Sequence, residues 1–159
     1  MEPEVEMSED QKLTEYESHE KFARDCFNYV WELLQNEDRT IEEDDEMVHA
    51  AHASRFHWGK IGDAVHRARG EWQISRVYAE LNSPEPSKYH ALRCLSLCQE
   101  NNLSAFDHAY AYEALARAAA VGRNKTERDQ NLARAREAAE GIDDEESKNL
   151  LLNDLKSIA

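Results

Sequence analysis

The chain has 159 residues, of which 33% are charged and 41% apolar, with a formal net charge of −14. That size suits one domain with a real core. The negative balance argues against nucleic acid and anionic membrane as partners, since phosphate surfaces repel it. The acidic residues cluster at Glu2, Glu4, Glu6, Glu9 and Asp10, and again from Glu42 to Glu46. The first cluster reads as a disordered acidic tail over residues 1–10, and the second as the first turn of a helix, where the dipole favours acids. No run approaches the roughly 18 apolar residues needed to cross a bilayer. The N-terminus lacks the basic-then-apolar pattern of a secretory signal. Cys26, Cys94 and Cys98 are odd in number and lack a C-x-x-C pair, so buried reduced thiols and a cytoplasmic location are expected.

Five glycines, three prolines and no period-two alternation predict helices throughout. Ser8-Glu9-Asp10-Gln11 has capping-box spacing, opening a helix to about Asn36 with Phe22, Cys26, Val30 and Leu33 on one face. Thr40-Ile41-Glu42-Glu43 is a second capping box, and its helix runs to about Ile61. Gly59 and Gly62 bracket a turn. A third helix spans about Asp63 to Leu81 and stops at Asn82-Ser83-Pro84-Glu85-Pro86. A fourth covers about Ser87 to Glu100. Ser104, with Asp107 three residues on, caps a fifth that ends near Val121-Gly122. The sixth spans about Lys125 to Glu140, with Gly141 as its C-terminal glycine. Asp143 or Asp144 starts a last helix to Ile158. The prediction is an all-α domain over residues 11–159, with about seven antiparallel helices stacked as helical hairpins.

The second half repeats itself. A shift of 41 residues aligns Arg76 with Arg117, Arg93 with Arg134, Cys94 with Ala135, and Leu97-Cys98 with Ala138-Ala139. The units, about Trp72 to Cys98 and Glu113 to Ala139, are helix–loop–helix. Each first helix carries aromatic and small residues, and each second helix Ala or Leu on its packing face. Over residues 40 to 158 this resembles the tetratricopeptide (TPR) pattern, whose period of about 34 residues is stretched here. Ser75-Arg76-Val77-Tyr78 and Leu115-Ala116-Arg117-Ala118 replace its Gly-Tyr signature, and its closing proline is absent. The resemblance implies a right-handed TPR-like array with a groove lined by first helices. A plain helical bundle is the alternative.

The segment from His49 to Trp58 holds three of the seven histidines. At about 100° per residue, Met47, Ala51, Ser54, Trp58 and Ile61 form a core seam. His49, His52 and Phe56 fall opposite, and His57 flanks the seam. Along a helix His57 lies about 12 Å from His49, so those two cannot share an ion. His49 and His52 can, and Glu46 precedes His49 with the Glu-x-x-His spacing of di-iron bundles. Antiparallel pairing about the turn sets His57 beside His66. A zinc or iron site on Glu46, His49 and His52 needs further ligands, such as Asp107, His108 or Glu113 of the fifth helix. Otherwise the histidines are hydrogen-bonding core and groove residues.

Arg76 precedes Glu80, and Glu113 precedes Arg117, each by four residues. Arg69 shares the stripe of Arg76. The two repeat-equivalent arginines either hold a partner's carboxylate bidentately or form a structural ion pair recurring with the fold. Trp72 falls on the core seam of the third helix, and Tyr110 or Tyr112 lines the groove. No phosphate loop, G-x-S-x-G or H-E-x-x-H motif occurs. The expected role is a non-enzymatic module that binds or scaffolds a protein or peptide partner. Its expected bound face carries His49, His52, Arg55, Phe56, Arg76 and Arg117. The rival reading is a metal-binding protein or metal-dependent enzyme. An array of so few repeats leaves an apolar end that a homodimer would cover.

Overall fold

A computed structural model describes residues 12–158. Among them the chain forms seven helices and no strand: α1 (Glu15–Gln35), α2 (Ile41–Ile61), α3 (Ala64–Glu80), α4 (Pro84–Glu100), α5 (Ala105–Val121), α6 (Lys125–Ala139) and α7 (Glu145–Lys156). The acidic tail and the Ser8 capping box lie outside the described residues. α1 instead starts from Thr14, whose hydroxyl accepts from the Glu17 N–H while the Glu17 carboxylate takes the Thr14 N–H. Thr40 and Glu43 cap α2 in the same reciprocal way. Asp63, Ser104, Asn124 and Asp144 each accept one orphan N–H at their helix starts.

Two boundaries differ from expectation. α4 begins at Pro84, because proline at the first helical position loses an N–H that would have no partner there. The segment that stops α3 therefore starts α4. At the far ends of α3, α4 and α5 the left-handed residues are Asn82, Asn102 and Arg123, and no glycine has positive φ. The Ser83 N–H reaches back to the Tyr78 carbonyl and the Asn124 N–H to that of Ala119, the long bonds of a Schellman turn. Gly141 serves a different need from the left-handed cap expected of it. A Cβ there would stand 3.0 Å from the Cβ of Ala105, where the end of α6 meets the start of α5.

The helices pair as hairpins α1–α2, α3–α4 and α5–α6, with α7 packed on α5 and α6. The first helices α1, α3, α5 and α7 also touch in succession. α3 and α5 are both 17 residues long, start 41 residues apart, and end at the equivalent left-handed residues Asn82 and Arg123.

Val30, Leu33, Met47, Ala51, Ile74 and Val77 bury one end of the stack. Leu132, Ala135, Ala139, Leu151 and Leu155 bury the other. Burial of a side chain such as Leu151 contributes about 1.5–3 kcal/mol, which fastens the last helix. Small polar residues bring neighbours close. Ser54 donates to the Ala23 carbonyl at 2.7 Å, and Ser75 and Ser87 each donate to the other's carbonyl at 2.8 and 2.9 Å. Gly70 lets α2 approach α3, since a Cβ there would meet Arg55 Cδ at 2.9 Å.

Candidate functional site

One side of each first helix opens onto a shared cleft of about 380 Å³. Every first helix contributes a pair of side chains four residues apart, which a helix places one above the other. Phe27 and Trp31 come from α1, Ala68 and Trp72 from α3, Phe106 and Tyr110 from α5, and Leu150 and Asp154 from α7. The rings meet in a chain. Trp31 lies 5.5 Å from Trp72, tilted by 38°, and Trp72 meets Tyr110 edge-on at 5.6 Å. Tyr110 continues to Phe106 at 4.9 Å, and Phe27 closes on Trp31 at 6.3 Å. These are the offset and edge-to-face contacts that aromatic quadrupoles favour.

A polar frame locks the rings. The Trp72 indole N–H donates to Glu113 Oε2 at 2.9 Å, while Arg117 donates from Nε and Nη2 to Oε1 at 2.9 and 2.5 Å. Glu113 is only 1% exposed, and Arg117 supplies its countercharge. The Tyr110 hydroxyl donates to Asp154 at 2.7 Å. Burial, then that bond and the Asp154 charge, pushes the hydroxyl well above its ordinary range, keeping it a donor. Arg69 Nε donates to Asp107 at 2.9 Å, with its guanidinium 5.7 Å from the Phe106 ring centre. Arg76 is half-buried, within electrostatic reach of Glu113, Glu80 and Asp154 but paired with none of them. Burial, then the neighbouring Arg117, lowers its pKa.

The expected ion pairs divide. Glu113 holds Arg117, but Glu80 turns to Arg39 at 3.3 Å, and Arg76 forms no ion pair among the described residues. Tyr110 lines the cleft, whereas Tyr112 packs into the core beside Ala91 and Leu115. Trp72, expected in the core, has one edge there and one on the cleft. The groove expectation itself needs correction. α1 pairs with α2, so α2 is the second helix of its hairpin and lies away from the cleft. None of His49, His52, Arg55, Phe56, Arg76 and Arg117 is among the residues that line the cleft.

The residues of α2 form a separate network. His52 Nε2 lies 2.9 Å from the Tyr78 hydroxyl, and its ring lies 5.3 Å from that of His90. His90 Nδ1 and Arg55 Nε hold the two oxygens of Glu71 at 2.7 and 3.0 Å. Burial works to raise the Glu71 carboxyl, but the His90 hydrogen bond and the His90 and Arg55 charges hold it below its ordinary value. Burial, then His90, lowers the pKa of His52. His49 is exposed, Glu46 accepts from the Tyr29 hydroxyl at 2.5 Å, and Phe56 lies beneath the Lys60 ammonium at 5.1 Å.

His57 faces α1, with its Nδ1 2.8 Å from His19 Nδ1. The expected His57–His66 pair does not form. Adjacent residues of a helix diverge by about 100°, so Trp58 takes the side facing α3 and stacks on His66 at 4.2 Å. Among the described residues no three His, Cys, Asp or Glu side chains are placed to hold one metal ion. The ligands sought on α5 are engaged elsewhere, Asp107 by Arg69 and His108 by the Ser104 carbonyl. Cys26 has its thiol pKa raised, chiefly by burial. That of Cys94 is raised by its hydrogen bond with Cys98 and then by burial.

The 41-residue step accounts for part of the cleft. Trp31, Trp72, Glu113 and Asp154 succeed one another at that interval, one per first helix. Extended into α1 and α7, that step finds Trp31 and Asp154, but on α5 it reaches the buried Glu113 and misses Phe106 and Tyr110.

Compared with family models, curated proteins and solved structures, the chain matches none of them. Its class is therefore defined by its own architecture, an all-helical stack of hairpins with an aromatic cleft across its first helices. No helix among the described residues is long and apolar enough to cross a membrane.

Proposed function

We propose that this chain is a non-enzymatic binding module of TPR-like build, acting in the cytoplasm, whose cleft takes a peptide segment of a protein partner. The observation that carries this reading is the aromatic row. Four successive first helices each present an i, i+4 pair to the same space, and half-exposed rings make a wall that a solitary domain has no packing need to leave open. A cavity of about 380 Å³ lies within the usual range of binding clefts and admits two or three side chains. Each apolar anchor buried there contributes about 1.5–3 kcal/mol.

The test is selection of binding peptides from a display library, followed by affinity measurements on two variants. Leu150 is 54% exposed on the cleft wall, so Leu150→Glu alters the wall without disturbing the core. It is expected to weaken selected peptides at least tenfold. Phe56→Ala, on α2, is expected to leave them unchanged. The opposite pattern would return the binding surface to α2 and refute the proposal.

A further inference from the structure

The charged groups on the cleft wall are unequal. Arg69 and Asp107 neutralise each other, with the Arg69 guanidinium set against Phe106. Asp154 stands on the same wall beside Tyr110 and accepts that residue's hydroxyl. Arg76 senses Asp154 from a distance without forming an ion pair with it. Among the described residues no cation lies within ion-pairing distance of Asp154. The wall therefore shows the same combination twice, an aromatic face with a carboxylate beside it. In one case the protein's own arginine completes it, and in the other no cation among the described residues does.

We propose that the cleft recognises an arginine side chain of the peptide partner, its guanidinium set against the aromatic wall where Trp72 meets Tyr110 and paired with Asp154. The inference rests on the peptide-binding reading and names the anchor. A cation is favoured because the ring quadrupole makes aromatic faces electrostatically negative and because a chain of net charge −14 draws basic partners. Arginine is favoured over lysine for a physical reason. A primary ammonium is compact and strongly hydrated, and this wall offers it one carboxylate among carbon surfaces. A guanidinium is weakly hydrated, stacks on indoles, and pairs bidentately with a carboxylate.

The experiment titrates the protein with three end-blocked tripeptides, Gly-Arg-Gly, Gly-Lys-Gly and Gly-citrulline-Gly. Citrulline keeps the shape of arginine without its charge. The readout is the indole N–H resonances of Trp31 and Trp72. Trp58, stacked on His66, serves as the internal reference. The arginine peptide is expected to shift Trp31 and Trp72 and to bind about tenfold tighter than the citrulline peptide, which is about 1.4 kcal/mol. Asp154→Asn keeps an acceptor for Tyr110 and is expected to erase that preference. Equal binding of all three peptides, or a preference that survives Asp154→Asn, would overturn the arginine anchor while leaving the cleft a peptide site. Selected peptides that respond to Phe56→Ala and not to Leu150→Glu would overturn both.

Discussion

Replacing Glu113 by glutamine tests the frame that holds the cleft. Glu113 is 1% exposed and, among the described residues, carries the only negative charge in direct contact with Arg117, while Arg76 stands close by with no ion pair of its own. The glutamine variant keeps the shape and can still accept the Trp72 N–H. What it removes is the countercharge, leaving two guanidiniums facing each other in a half-buried space. Breaking a buried ion pair by neutralising one partner costs about 3–5 kcal/mol. Arg117 retains 16% of its side-chain exposure, so water recovers part of the loss and the expected cost is about 3 kcal/mol. For a domain of this size that lowers Tm by about 6–12 °C. The assay is thermal and urea unfolding followed by circular dichroism. A second substitution, Arg76→Met added to Glu113→Gln, removes one of the facing cations and is expected to recover about 1 kcal/mol or more. The reasoning is refuted if Glu113→Gln stays within about 1 kcal/mol of the parent, or if adding Arg76→Met brings no recovery.

The histidine network predicts pH dependence with a definite sign. His52 and His57 have folded pKa values lowered from 6.5, so the fold resists their protonation; the associated stability is complete above 6.5 and lost as pH falls through the folded values. Glu71, held below 4.5, adds a second decline at lower pH, where its protonation breaks the links to His90 and Arg55. Tm measured against pH should show both limbs, with His52→Gln reducing the upper and Glu71→Gln the lower; a flat Tm from about pH 7.5 to 5.5 would contradict the assignment. Arg123 holds φ at 58°, a conformation that costs a residue with a Cβ about 1–2 kcal/mol. Arg123→Gly should therefore stabilise by about 1 kcal/mol, and Asn82→Gly by less, since asparagine tolerates the left-handed region; equal gains at both sites would count against this explanation. Ser75→Ala and Ser87→Ala should each cost about 1 kcal/mol in urea unfolding. The double variant should cost less than the two together, and full additivity would show that the serines do not act as one link.

Much of the fold was legible in the residues. Thr40, Asp63 and Ser104 announced their helices, and the Asp143-Asp144 pair the last one, because a capping side chain acts on N–H groups two or three residues away. The seam of Met47, Ala51 and Ser54 was legible for a similar reason, since helical periodicity alone decides which residues share a face. The candidate site was legible only in part. Arg76 and Arg117 are legible as equivalents 41 residues apart, but Trp31 and Asp154 face one cleft only because α1 packs on α3 and α7 on α5. Three histidines sit close in sequence on α2, yet spacing along one helix does not supply the further ligands that a metal needs from its neighbours.

Local chemistry in this chain thus determines where helices begin, how long they run, and which stripe of each is apolar. Those properties depend on hydrogen bonds and side-chain spacings that span at most a few residues. The tertiary structure decided the rest. Once α1 paired with α2, the order of hairpins was set, and α1, α3, α5 and α7 became the helices that line the cleft. Trp72, apolar and on a seam, could not reveal alone that one of its edges would remain open. His57 and Trp58, neighbours in sequence, were sent to α1 and α3 by their divergence around the helix. A side chain's face follows from its own helix, but what that face meets depends on which helices pack beside it.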